Sequence, residues 1–69
     1  MRALNLCHSI IMSGLKERDK RFFENDDLVF LYCGLLTFSQ KHDILQHLNS
    51  GHYRFLTKKG EEVLRKALA

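Results

Sequence analysis

The sequence predicts a mainly α-helical single domain over residues 1–69, built from four helices and one short strand. Two observations lead there. Apolar residues recur at helical spacing along most of the chain, between polar residues that start and stop helices, and there is no proline to interrupt them. The second observation is the run Leu28-Val29-Phe30-Leu31-Tyr32-Cys33-Gly34-Leu35-Leu36, which carries no charge in a protein whose residues are 28% charged. A bilayer span needs roughly 20 apolar residues, so this run is too short for a membrane and belongs inside a fold.

The first helix, residues 3–19, has the stripe Leu4, Cys7, Ile11 and Leu15. Leu6 and Ile10 widen that stripe beyond what one core face needs, which marks them as a candidate dimer interface. Lys16-Glu17-Arg18-Asp19-Lys20-Arg21 alternates in sign and reads as a solvated helix end running into a loop. Phe22 and Phe23 then turn inward and anchor that loop.

The uncharged run reads as a buried central helix over residues 27–36. Asn25-Asp26-Asp27 supplies an N-cap and two carboxylates for the positive end of the helix dipole. Gly34 lets another helix approach closely. A helix apolar on every side must be covered on every side. A chain of 69 residues has little to cover it with, since such a domain buries only about 60% of its unfolded surface. Both features predict a homodimer.

Thr37 with Gln40 three positions on forms a capping box that opens the third helix. It runs to about Asn49 and closes at Ser50-Gly51, with Gly51 as a left-handed terminator. Phe38, Ile44, Leu45 and Leu48 make its inner stripe; Ser39, Asp43, Gln46 and His47 lie opposite. His52-Tyr53-Arg54-Phe55-Leu56 alternates as a short strand would, with Tyr53 and Phe55 on one side. Thr57 caps the last helix, residues 58–69, whose inner positions are Val63, Leu64, Ala67 and Leu68. Glu61–Arg65 and Glu62–Lys66 are i,i+4 pairs in the favoured order, worth about 0.2–0.5 kcal/mol each.

Composition excludes several function classes. Cys7 and Cys33 both fall in apolar helical contexts, as buried free thiols of a reducing compartment do. With no secretory or lipidation signal, the expected location is cytoplasmic, away from membranes. His42, His47 and His52 recur every five residues, and no C-x-x-C or H-x-x-x-H pair exists, so neither a metal nor a cofactor is expected. Cys7 and His8 point to different helix faces. No nucleophile elbow or Gly-rich phosphate loop is present, which argues against an enzyme.

Charge is uneven. The net value is +3, with a pI near 9.1. Residues 16–27 hold four basic and five acidic side chains, whereas residues 54–66 hold five basic and two acidic, so the surplus lies at the C-terminal end. Lys58 and Lys59 oppose the dipole in the first turn of the last helix. That turn also presents free N–H groups, a ready anion site. The alternative is a capped helix with solvating charges.

Within Tyr53-Arg54-Phe55-Leu56-Thr57-Lys58-Lys59-Gly60-Glu61-Glu62-Val63-Leu64, the residues Tyr53, Leu56, Thr57, Lys59, Gly60 and Leu64 follow a wing strand entering a C-terminal helix. This stretch resembles the end of winged helix-turn-helix DNA-binding regulators. The resemblance covers about twelve residues, and the order helix, helix, helix, strand, helix also fits. It implies a winged-helix-like fold, duplex DNA as partner and a role in transcription regulation. The helix over residues 37–49 would enter the major groove, with Ser39, Gln40, Gln46 and His47 as base-edge or phosphate contacts, and Arg54, Lys58 and Lys59 would contact the DNA backbone. The chain departs from the family in leaving only Asn49-Ser50-Gly51-His52 before the strand, and in carrying one Lys and one Asp on that helix. The alternative function is a small helical protein-interaction module, an inhibitor or adaptor of a host or partner protein, of the kind phage and mobile elements encode.

Overall fold

Among the described residues, four helices begin at a side chain that takes up a free backbone N–H. The computed structural model describes residues 2–69, with side chains from Leu6 onward. Its helices are α1 (Arg2–Glu17), α2 (Lys20–Phe23), α3 (Asp26–Gly34), α4 (Phe38–Asn49) and α5 (Lys58–Leu68). Asp19 caps α2 by accepting from Phe22 N at 3.1 Å, and Asn25 caps α3 by accepting from Leu28 N at 3.3 Å. Thr37 and Gln40 form the full capping box on α4: Gln40 N donates to Thr37 Oγ1 at 3.1 Å, and Thr37 N donates to Gln40 Oε1 at 2.9 Å. Thr57 caps α5 through Gly60 N at 3.1 Å.

Two helices end in the same six-residue closure. After α4, Gly51 adopts a φ of 82°, and the N–H groups of Gly51 and His52 return to the carbonyls of Leu48 and His47. After α1 the position is filled by Arg18, at φ 59°, and the N–H groups of Arg18 and Asp19 return to Leu15 and Gly14. A side chain other than glycine is strained there by roughly 1 kcal/mol. Arg18→Gly should therefore raise stability by about 0.5–1 kcal/mol, read as a higher urea midpoint at unchanged slope.

The core is built from one stripe of each helix. Cys7, Ile11 and Leu15 come from α1, Phe23 from α2, Val29 and Cys33 from α3, Ile44 and Leu48 from α4, and Val63, Leu64 and Leu68 from α5; Leu36 joins them from the α3–α4 turn. α3 packs on α1 and α5, α2 against α3 and α5, and α4 against α5. Phe23 is the hub, with no exposed surface. A Cβ on Gly14 of α1 would lie 3.2 Å from its ring, and one on Gly60 of α5 would lie 3.5 Å from its own Cβ. Two glycines thus bring α1 and α5 onto one phenylalanine, whose ring also meets Phe22 and Phe55 edge-on at 5.0 and 6.4 Å between ring centroids. The Cα radius of gyration is 10.7 Å, against about 11 Å for a well-packed domain of this length.

Three sequence expectations need correction. Among the described residues there is no strand: residues 50–56 form successive turns, with Leu56 N donating to Tyr53 O at 3.2 Å. A lone strand would have had no ladder partner for its N–H and C=O groups. Tyr53 and Phe55 still point inward and pack against the core, so their alternation was real but belonged to a turn. The architecture is therefore five helices, with α2 as the extra element.

The uncharged run is the second correction, because it is buried on one side only. Val29, Cys33 and Leu36 face the core, whereas Leu28, Phe30, Leu31 and Leu35 keep 37–56% of their surface exposed. The third concerns the inner stripe of α4, from which Phe38 is missing at 86% exposed. Leu4 lies outside the described side chains. Of the two predicted ion pairs in α5, Glu61–Arg65 forms at 3.0 Å, and among the described residues Glu62–Lys66 does not.

Both cysteines are free and buried. Burial pushes the Cys33 thiol up from 9.0 to about 11, with Lys41 nearby opposing the rise. Burial also raises the Tyr53 phenol. A thiol whose folded value lies above its unfolded one favours folding fully below pH 9, and that contribution is lost as pH rises through 11. Two units correspond to about 3 kcal/mol. Urea melts between about pH 7 and about pH 11 should show the parent weakening in the upper half of that range, and Cys33→Ala weakening less.

Candidate functional site

Two surfaces compete for function, a basic end and an apolar face. The basic end was legible in the sequence. Arg54 lies exposed in the turn segment, with Nε 3.1 Å from where a Cβ on Gly51 would sit, so its guanidinium lies over the end of α4. Lys58 and Lys59 are exposed in the first turn of α5. That turn already holds an anion of the chain's own. Glu24, which ends α2, accepts a hydrogen bond from Thr57 Oγ1 through Oε2, while Thr57 Oγ1 takes the Gly60 N–H. A phosphate arriving at the α5 N-terminus would meet that carboxylate, and repulsion between the two anions offsets the attraction of the lysines.

On α4, Ser39 and Gln46 are exposed seven residues apart, hence on one face. Asp43 stands between them, also exposed, and sets a negative charge in the middle of the row that would read DNA. The Gln40 side-chain oxygen is committed to the capping box. His47 donates from Nδ1 to the Asp43 carbonyl at 2.8 Å, and its ring meets His52 edge-on at 4.9 Å between centroids. Tyr53 adjoins both rings at 6.3 and 6.5 Å. Arg65 donates to Glu61 and, at 2.7 Å, to Asn49 Oδ1, tying α5 to the end of α4. Among the described residues no cluster of His, Cys, Asp and Glu could hold a metal ion, and no helix is long and apolar enough to cross a membrane.

The apolar face lies on α3 and the start of α4. Leu28, Leu31 and Leu35 follow one another at spacings of three and four, so their side chains share a stripe of the helix. Phe38 opens α4 beyond the turn, where it lines a groove with Lys41, His42, Leu45, Leu68 and Ala69. Phe30 flanks the stripe on the far side, beside Asp27 and Gly34. A Cβ on Gly34 would meet nothing within 4 Å, so the close approach this glycine permits is not used within the chain. Asp26 and Asp27 lie in the first turn of α3, while Lys41 of α4 acts on the buried Cys33 thiol on the core side of the helix and lines the same groove as Phe38, Leu45 and Leu68.

A smaller feature lies on α1. Leu6 is 61% exposed and Ile10 half-buried, where Ile10 lines a groove of about 320 Å³ with Ser13, Gly14 and Phe22. Phe22 in turn stacks on Tyr32 of α3 at 6.0 Å between centroids.

Sequence patterns singled out Leu6, Ile10 and the polar residues of α4, and missed Leu28, Leu31, Leu35 and Phe38 as surface residues. The signal for them was present in a helix apolar all round, in a chain too short to cover it. Compared with protein-family models, curated proteins and solved structures, the chain matches none of them.

Proposed function

We propose that this protein is a small helical interaction module that docks on a protein surface through the outer face of α3 and the first turn of α4. One observation carries this reading. Leu28, Phe30, Leu31, Leu35 and Phe38 stay exposed in a domain whose core is otherwise closed, with no buried polar residue among those described. Leu28, Leu31 and Leu35 share one stripe of the helix, and an exposed apolar stripe of this kind is typical of interaction sites. Leu31→Asp places a charge in that face without touching the core. Affinity capture with the parent and with Leu31→Asp tests the reading: partners held by the parent and lost by the variant support it, and an identical set held by both contradicts it.

A second reading, a winged-helix-like DNA-binding regulator, is favoured by the exposed basic residues Arg54, Lys58 and Lys59 in the C-terminal part of the chain. It asks more of the chain, since the wing is a turn and Asp43 sits in the presumed reading row. Binding to random duplex DNA across a salt series separates the two. The DNA reading requires a steep salt slope, flatter by about 0.9 for every lysine–phosphate pair that Lys58→Ala and Lys59→Ala remove. The docking reading predicts weak binding at low salt that is gone near physiological salt. It also predicts that both lysine variants leave folding and partner binding unchanged.

A further inference from the structure

We infer that the cleft between the ends of α1 and α4 binds a small phosphate monoester, held by Arg18 and Arg54. The inference rests on neither the docking reading nor the DNA reading.

The closures of two helices build this cleft. Arg18, which closes α1, lines it together with Gly51, His52, Arg54 and Phe55, which follow α4, around a space of about 350 Å³. Small-ligand sites take about 300–1,000 Å³. Phe55 ties the lining to the core, since it meets Phe23 edge-on at 6.4 Å between ring centroids. Arg54 turns Nε and Nη2 toward Gly51, 3.1 and 3.4 Å from where a Cβ would stand, an approach that a side chain there would obstruct.

Charge in the cleft has one sign. Arg18, His52 and Arg54 are exposed, and among the described residues no carboxylate lines the space with them. The turn at Arg18 does the sorting. Its sequence neighbours Glu17 and Asp19 line a separate groove with Ile10, Gly14 and Phe22, while Arg18 lines the cleft. Among the described residues the ion pair is Glu61–Arg65, so neither Arg18 nor Arg54 is neutralised within the chain. The C-terminal ends of α1 and α4 favour the two guanidiniums through their dipoles, and roughly half a negative charge from each end leaves the cleft positive.

Two guanidiniums match the charge of a monoester dianion and offer paired N–H donors to its oxygens. The space beside the phosphate borders Phe55 and the His52 ring, which suit a flat ester group. A nucleic-acid backbone would need a row of cations leading out of the cleft. Arg18 also holds, at φ 59°, the left-handed conformation that glycine takes at the matching position after α4. Strain kept at a cleft-lining residue, where glycine would relieve it, is accounted for by a binding role.

Titration with phenyl phosphate at about pH 7.5, where the monoester is a dianion, followed by backbone amide NMR shifts at constant ionic strength, tests the inference. The parent should bind with a Kd below about 1 mM, with the largest shifts at Arg18, Gly51, His52 and Arg54. Arg18→Gly should melt higher than the parent yet bind about tenfold or more weakly, and Arg54→Ala should lose as much with its fold retained. Arg18→Lys, which keeps the charge without the fork, should fall between. Lys58→Ala should bind within about twofold of the parent.

No shifts at these residues up to about 10 mM ligand overturn the inference. So does an Arg18→Gly protein that binds as the parent does. Inorganic phosphate bound as tightly as phenyl phosphate overturns the ester and leaves a bare anion site. Random duplex DNA bound through Arg18 and Arg54 more tightly than phenyl phosphate overturns the small ligand in favour of the DNA reading.

Discussion

Phe23→Ala should leave no cooperatively folded protein at physiological temperature. Phe23 has no exposed surface and lies where α1, α2 and α5 meet, with Gly14 and Gly60 both fitted to its volume. Removing a buried phenyl group costs about 3–5 kcal/mol in transfer free energy and residual cavity. A domain of this length has roughly 3–10 kcal/mol in all. The two glycines make the loss worse than at an ordinary core site, because neither carries a side chain that could lean into the void. Circular dichroism during heating should show a broad, weak transition in place of the parent's single one. A sharp transition within a few degrees of the parent would show that the hub lies elsewhere.

The second large effect belongs to Val29→Asp, which should unfold the protein at neutral pH. Val29 is fully buried on the core face of α3, and the core around it holds no buried polar residue to receive a carboxylate. An unpaired charge there costs several kcal/mol, comparable to the whole stability. The same substitution two residues along has a different consequence, since Leu31 is on the outer face of the same helix.

That contrast shows where the sequence was legible. Local signals were read correctly because their physics is local. The Thr37–Gln40 capping box, the Thr57 cap, the Asn25 cap and the left-handed Gly51 each depend on a few neighbouring atoms. The α1 stripe from Cys7 to Leu15 and the stripe of α5 also held, because each has polar residues on its far side to fix the inward direction. The run from Leu28 to Leu36 has none. With apolar residues all round, its periodicity carries no information on which face is buried, and only packing against α1 and α5 decides it. Phe38 was misassigned for a related reason: at the first position of α4 it lies ahead of the Ile44–Leu48 stripe and only edges the groove it lines with Leu45 and Leu68.

The strand was misread because Tyr53 and Phe55 alternate inward in a chain of turns as they would in a strand, and only the missing partner strand argues against it. The four-residue α2 begins in the alternating charges of residues 16–21, where no apolar period exists to announce it. Of the predicted DNA contacts, Ser39, Gln46, His47, Arg54, Lys58 and Lys59 are exposed as a contact requires, but exposure is the default for polar residues and assigns no partner.

The central claim is that α3 has one face for its own core and one for a partner. Paired thermal melts of Val29→Asp and Leu31→Asp, at a concentration low enough to hold the parent as a monomer, test it most directly. Val29→Asp should show no cooperative transition, while Leu31→Asp should melt as one unit within about 5 °C of the parent. Loss of the transition in Leu31→Asp as well would mean that the helix is core on every side, and would contradict that claim.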